Sequence, residues 1–332
     1  MSGGSLWQST IFRLIFGLGL FAVIVFILAG SFKFDEVVDT VADFPLSYLA
    51  ILLTASFLVS VLKGARFHVL VRHAGIEINF RHSLRLFLAS QAATPIPAGE
   101  TIRVGLLKQE TGASLGKAVS PVLGQAVYEI AAAAVIVFAA SAYYPELFVP
   151  SVIAVIGLVL MVWILLYRRA FNFALRLFVT IPGVGQYAER IKSAREHLRH
   201  NFTLLQEGGF DRHVFAAIIL ALVAQLMGGL LVLIATTAFD LPLNFFQATL
   251  VYACGAILQG LFTLIPAGLG VTEGGMSGVL HVLGIELSVA LAVVIIIRVA
   301  TLLFPVVLGV ILFIMFYAKQ TFFGASKRRH AA

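Results

Sequence analysis

Apolar residues in this chain come in long uncharged runs, and short charged stretches separate them. A helix crossing a bilayer needs about 20 predominantly apolar residues, since each contributes about 1.5 Å towards about 30 Å of hydrocarbon. Residues 14–32, 44–62, 147–167, 213–239 and 299–318 are uncharged at about that length. The last of these extends upstream into one long helix over 287–316, bent at Pro305. A further span starts near Lys117, carries Glu129 inside it and ends near Tyr143. Residues 241–272 are also uncharged, but Pro266, Gly268 and Gly270 interrupt them. That stretch is too long for one simple span and too broken for two.

A second break lies earlier, in the run Gln91-Ala92-Ala93-Thr94-Pro95-Ile96-Pro97-Ala98-Gly99-Glu100-Thr101-Ile102-Arg103. Its Ile96-Pro97-Ala98-Gly99 returns as Ile265-Pro266-Ala267-Gly268. Each copy ends an apolar run, and a carboxylate soon follows, Glu100 in the first and Glu273 in the second. Lipid offers no hydrogen bonds, so irregular backbone at membrane depth has to be buried in protein or line a cavity. Paired broken segments, one in each half of a chain, mark the binding site in transporters built from repeats. The predicted tips are Pro95, Pro97 and Gly99 in one break and Pro266, Gly268 and Gly270 in the other.

Composition and charge set the class and the orientation. With 60% hydrophobic residues, 12% charged residues and a mean hydropathy of +1.01, the chain is a polytopic membrane protein. The net charge of +7 is concentrated between apolar runs, which argues against a nucleic-acid partner. Residues 63–85 hold five Lys/Arg against one acid, and 168–212 hold eight against four. Residues 33–43 hold one Lys against four acids. The excess of Lys and Arg in cytoplasmic loops then puts both termini, 63–85 and 168–212 in the cytoplasm of a plasma (inner) membrane protein. The run 14–32 lacks an Ala-x-Ala cleavage site and is expected to be retained.

This orientation makes residues 83–112 a hairpin dipping in from the inside and residues 245–284 a hairpin dipping in from the outside. The expected fold is therefore all-α, with about six full transmembrane helices and two oppositely oriented re-entrant helical hairpins in an inverted repeat. Residues 10–167 form the first half, 213–318 the second, and 319–332 a cytoplasmic tail. Residues 168–212 form a linker. In it Tyr187, Ile191, Ala194, Leu198, Phe202 and Leu205 lie at helical spacing between basic residues, as in an amphipathic helix at the inner interface.

Charged groups at membrane depth are costly and by default mark paths or sites. Glu100 and Arg103 stand three apart, and Gln125 and Glu129 four apart, so each pair shares a helix face. Arg298 interrupts an otherwise apolar stretch and needs a partner, for which the sequence leaves Glu129 and Glu273 open. Glu100, Arg103, Gln125, Glu129, Glu273 and Arg298 are the candidate substrate-binding residues. Arg66, Arg72, Arg81 and Arg85 read as ordinary charges of a cytoplasmic loop. The eight His and single Cys254 show no metal-ligand spacing. No nucleophile elbow or phosphate-binding glycine loop appears, so neither catalysis, metal nor cofactor is expected.

Two of these motifs resemble those of the lysylphosphatidylglycerol synthase transmembrane region, the flippase-like domain family. Pro95 to Arg103 resembles its Pro-x-x-x-Gly-Glu-x-x-Arg signature. Pro266 to Glu273, followed by Arg298, resembles its Pro-x-Gly-x-Gly-x-x-Glu signature with an intramembrane Arg. The likeness covers roughly residues 10–318. The chain departs from the family pattern where members often carry Glu-Arg and then Asp, having Gln125-Ala126 and then Glu129. It ends at Ala332, so the resemblance implies a stand-alone member without the aminoacyl-transfer domain. It implies translocation of a phospholipid, another lipid or a lipid-linked molecule between leaflets, and a non-enzymatic role. The expected partners are membrane lipids with anionic or lipid-linked headgroups. A homo-oligomer or a partner enzyme is left open. The contrasting expectation is a non-catalytic membrane partner that regulates a lipid- or glycan-modifying enzyme.

Overall fold

The computed structural model describes residues 41–95, 99–145, 211–261 and 266–318, with scattered positions from 152 to 173. The expected span 14–32, most of 147–167, the amphipathic linker, the tail and Pro97 lie outside the described residues. Among the described residues every regular element is helical.

Helix α1, Leu46–His73, is 28 residues long. Pro45 precedes it with φ already at −65°, and Gly75 ends it in the left-handed region while the Ile76 amide donates back to the Val71 carbonyl. The apolar run alone predicted an end at residue 62, so 63–85 is not a loop: α1 carries Lys63, Arg66 and Arg72 within its last turns. A helix, α2, follows at Phe80–Ser90, started by Asn79, whose side chain accepts from the His82 amide at 2.9 Å. A short 3-10 turn at Gln91–Ala93 and the first break lead to α3, Thr101–Thr111, which Gly112 closes. At 11 residues each, α2 and α3 are about 16 Å long, half of a bilayer core.

Helix α4, Leu115–Ala140, and helix α5, Arg212–Thr237, each run for 26 residues. Helix α6, Phe245–Leu261, ends at the second break, and α7, Val271–Val282, leaves it. The last helix, α8, spans Leu287–Tyr317 and has π-helical turns at Val299–Leu303 and Ile314–Ala318. The first π turn lies just before Pro305. Proline has no amide hydrogen and crowds the carbonyl four residues back, so the ladder loosens there. The helices α1, α4, α5 and α8 are each long and apolar enough to cross a membrane.

Packing joins the two breaks to these long helices. Helix α5 lies along both α1 and α6, and α7 lies against α6 and α8. One core gathers Leu52, Val59, Leu231, Met276, Leu280 and Ile297 from α1, α5, α7 and α8. A second gathers Phe67, Phe87, Leu107, Val122 and Tyr317 around the first break. Many large apolar side chains, among them Phe57, Val135, Phe138, Phe215 and Ile311, remain on the outside, as a lipid-facing surface requires. Lipid tails supply no hydrophobic drive between helices, so close contact carries more of the association. Gly309 of α8 supplies such a contact. A Cβ built on it would lie 2.5 Å from the Ala92 amide nitrogen and 2.8 Å from the Leu88 carbonyl oxygen. The last helix therefore rests directly on the backbone of the first break.

Candidate functional site

Two charged clusters lie inside the helical body. The second break builds one of them. Ala267 sits in the left-handed region at φ 53°, which is strained for a residue with a Cβ, and Gly268 and Gly270 follow it at positive φ. This sharp turn aims the start of α7 inward. Glu273, three residues into α7, accepts from the Gly270 amide at 2.6 Å, which satisfies one of the free donors at the helix start. Its other oxygen accepts from Arg298 Nε at 2.6 Å, while Arg298 Nη2 donates to the Ala267 carbonyl at 2.7 Å. Ser277 Oγ donates to the Glu273 carbonyl one turn on. Of the two partners the sequence left open for Arg298, the structure selects Glu273.

The other cluster ties α1 to α4. Glu129 accepts from Lys63 Nζ at 2.5 Å through one oxygen and from Arg66 Nη2 at 2.6 Å through the other. Gln125, one turn earlier, donates to the Lys63 carbonyl at 3.1 Å. Gln225 of α5 donates to the Glu129 carbonyl at 3.2 Å, so three long helices meet here. Arg66 is fully buried at 0% exposure, and its Nε and Nη1 have no hydrogen-bond partner among the described residues. Lys63 and Glu129 are each about one-fifth exposed, so the cluster opens outward at that end.

Arg103 of the first break is buried and lies within electrostatic range of Glu100, Glu129 and Arg66. Its Nε donates to Ser90 Oγ at 2.9 Å, and its guanidinium covers the Phe87 ring at 4.6 Å. Glu100 is exposed and forms no ion pair with Arg103. Arg103 turns instead towards α2, where Ser90 and the Gln91 side chain accept from it. Pro95 is exposed and Gly99 buried. A third group closes the limbs of this break: Arg85 of α2 pairs with Glu110 of α3 at 3.0 Å, and Tyr317 of α8 donates to the same carboxylate at 2.7 Å.

Of the six candidate residues, the structure joins Glu273 with Arg298, and Gln125 with Glu129. No hydrogen bond or ion pair among the described residues links these two groups. Lys63 and Arg66 belong to the first cluster although they read as loop charges in the sequence. Their three-residue spacing, continuous with the apolar run before them, was the signal for one helix face. Beside the cluster, α1, α4 and α5 enclose an apolar slot of about 320 Å³, lined by Leu70, Gly124, Val127, Tyr128, Ala131 and Leu222.

Long apolar helices, two helix–break–helix segments and buried charges define a polytopic membrane protein with polar chemistry in its interior. Residues 14–309 match the family model for the lysylphosphatidylglycerol synthase TM region, and the chain belongs to that family. No match was found among curated proteins.

Proposed function

We propose that this protein moves a phospholipid or lipid-linked molecule with an anionic, phosphate-bearing headgroup from one leaflet to the other, without altering it chemically. The observation that carries this reading is the charge imbalance of the cluster around Glu129. Lys63 and Arg66 bring two positive charges against one from Glu129, Arg103 beside them has Glu100 as well as Glu129 within electrostatic range, and Nε and Nη1 of Arg66 have no hydrogen-bond partner among the described residues. A buried donor without a partner costs roughly 1–3 kcal/mol, more when charged, so an arriving phosphate gains at this position. The partly exposed Lys63 and Glu129 receive the headgroup, and the adjacent apolar slot suits a tail.

In this reading α2–α3 and α6–α7 are the two re-entrant hairpins, entering from opposite sides with both termini in the cytoplasm. Helices α2, α3 and α7, at 11, 11 and 12 residues, are too short to cross a bilayer alone, and the family assignment supports a lipid-related role. Liposomes reconstituted with the protein and a headgroup-labelled phospholipid, followed with a membrane-impermeant quencher, test it. Labelled lipid is expected to exchange faster than in protein-free liposomes and to slow at least tenfold in Arg66→Met. Equal exchange with and without protein sinks the reading for the lipids used. A partner-anchoring role is favoured instead if charge-removing variants lose only expression and co-purification.

A further inference from the structure

His73 is the last residue of α1, Asp211 is the N-cap of α5, and His213 lies two residues on. Their sequence spacing carries no metal signature, but packing α5 along α1 brings them together. The Nδ1 atoms of both imidazoles approach one Asp211 oxygen, at 3.2 Å from His73 and 3.0 Å from His213. All three ligand atoms lie within 4.8 Å of one another. Ligands about 2.1 Å from a tetrahedral ion stand roughly 3.4 Å apart, so small side-chain rotations separate this arrangement from a coordination shell. We infer that His73, Asp211 and His213 form a site for a borderline divalent transition ion such as Zn2+, with water at the fourth position.

Several features support the assignment. The side chains of His73, His213 and Asp211 are 19%, 29% and 40% exposed, which leaves both an access route and room for the water. Asp211 supplies an anionic carboxylate oxygen at neutral pH, as an ordinary aspartate does. Arg72 and Arg212 flank the ligands in sequence and disfavour ions held by charge alone, such as Ca2+ or Mg2+. Two imidazoles and one carboxylate suit Zn2+ and its neighbours, which bind through donor strength. A bound ion would pin the end of α1 to the start of α5.

The test uses the full-length protein in detergent, purified through a tag without histidine, stripped with a chelator and titrated with Zn2+ alone. One equivalent per chain is expected, with two imidazole ligands visible in the zinc X-ray absorption edge region. Loss of a residue that merely orients a ligand costs 10- to 100-fold in affinity, so His213→Gln and Asp211→Asn are each expected to weaken binding at least tenfold. Zn2+ is expected to raise the Tm of the wild type and not that of the variants. No stoichiometric binding by the wild type overturns the inference. So does unchanged affinity in both variants, which would put the ion on other histidines. Should His213→Gln fail to fold, Asp211→Asn, which preserves shape, decides alone. No transport measurement enters, so the result stands apart from the translocation reading.

Discussion

The two charged clusters are built from the same residue types and do different things. Around the second break, one arginine, one carboxylate, one strained carbonyl and one helix-start amide satisfy each other, and both Glu273 oxygens are used. This set ties the irregular backbone of the second break to α8. Around α1 and α4 the cations outnumber the carboxylate, and Arg66 keeps two buried donors unused. The balanced cluster fixes an irregular backbone, and the unbalanced one is where the proposed headgroup would bind. Read in sequence, Arg298 was one of six candidate site residues and Arg66 a loop charge; the structure places Arg66 in a buried charged cluster as well.

The largest expected effect breaks the balanced cluster. Arg298→Ala leaves the Glu273 carboxylate buried without its partner, which should cost about 3–5 kcal/mol of stability in detergent unfolding. The double variant Glu273→Gln/Arg298→Met should recover most of that loss; failure to recover would mean Arg298 does more than brace. Next comes Gly309→Ala, where the added methyl meets the Ala92 backbone. A loss of about 1–3 kcal/mol is expected, because backbone yields less readily than a flexible side chain. Arg66→Met separates the clusters functionally. Lys63 still neutralises Glu129, so unfolding should change by less than about 1 kcal/mol, while phospholipid-induced stabilisation disappears. Arg298→Ala, where folded protein can be obtained, should keep that stabilisation. The smallest effect is Asn79→Ala, which removes the cap of α2 and should cost about 1 kcal/mol with exchange otherwise normal.

Much of the architecture was legible because hydropathy reports what faces lipid. The runs 44–62, 213–239 and 287–316 and the span around Glu129 each became a long helix. Pro266, Gly268 and Gly270 marked a real break. What hydropathy missed was how charges pair between helices. Lys63 and Arg66 ended an apolar run on paper, yet α1 continues through them because Glu129 on α4 compensates both. The spacing of Glu100 and Arg103 put them on one helix face. Arg103 found Ser90, Gln91 and an aromatic ring instead, which no count along one helix reveals. The meeting of His73 with Asp211 and His213 was invisible for the same reason.

The π turn at Val299–Leu303 has a consequence for how this chain can change. Arg298 and Gly309 are eleven positions apart, close to three turns of 3.6, so in a uniform α-helix they would look the same way. A π turn absorbs one surplus residue and rotates everything beyond it by about 100°. Arg298 thus meets the second break and Gly309 the first, both served by one rod with a built-in twist. In the gene this amounts to a frame of spacing as well as a list of letters. Point substitutions at the exposed Leu303 should be well tolerated, whereas larger residues at the fully buried Ala300 should not. Removing a single codon there should turn Gly309 off Ala92 and unseat the first break, visible as a loss of stability as large as that of Gly309→Ala.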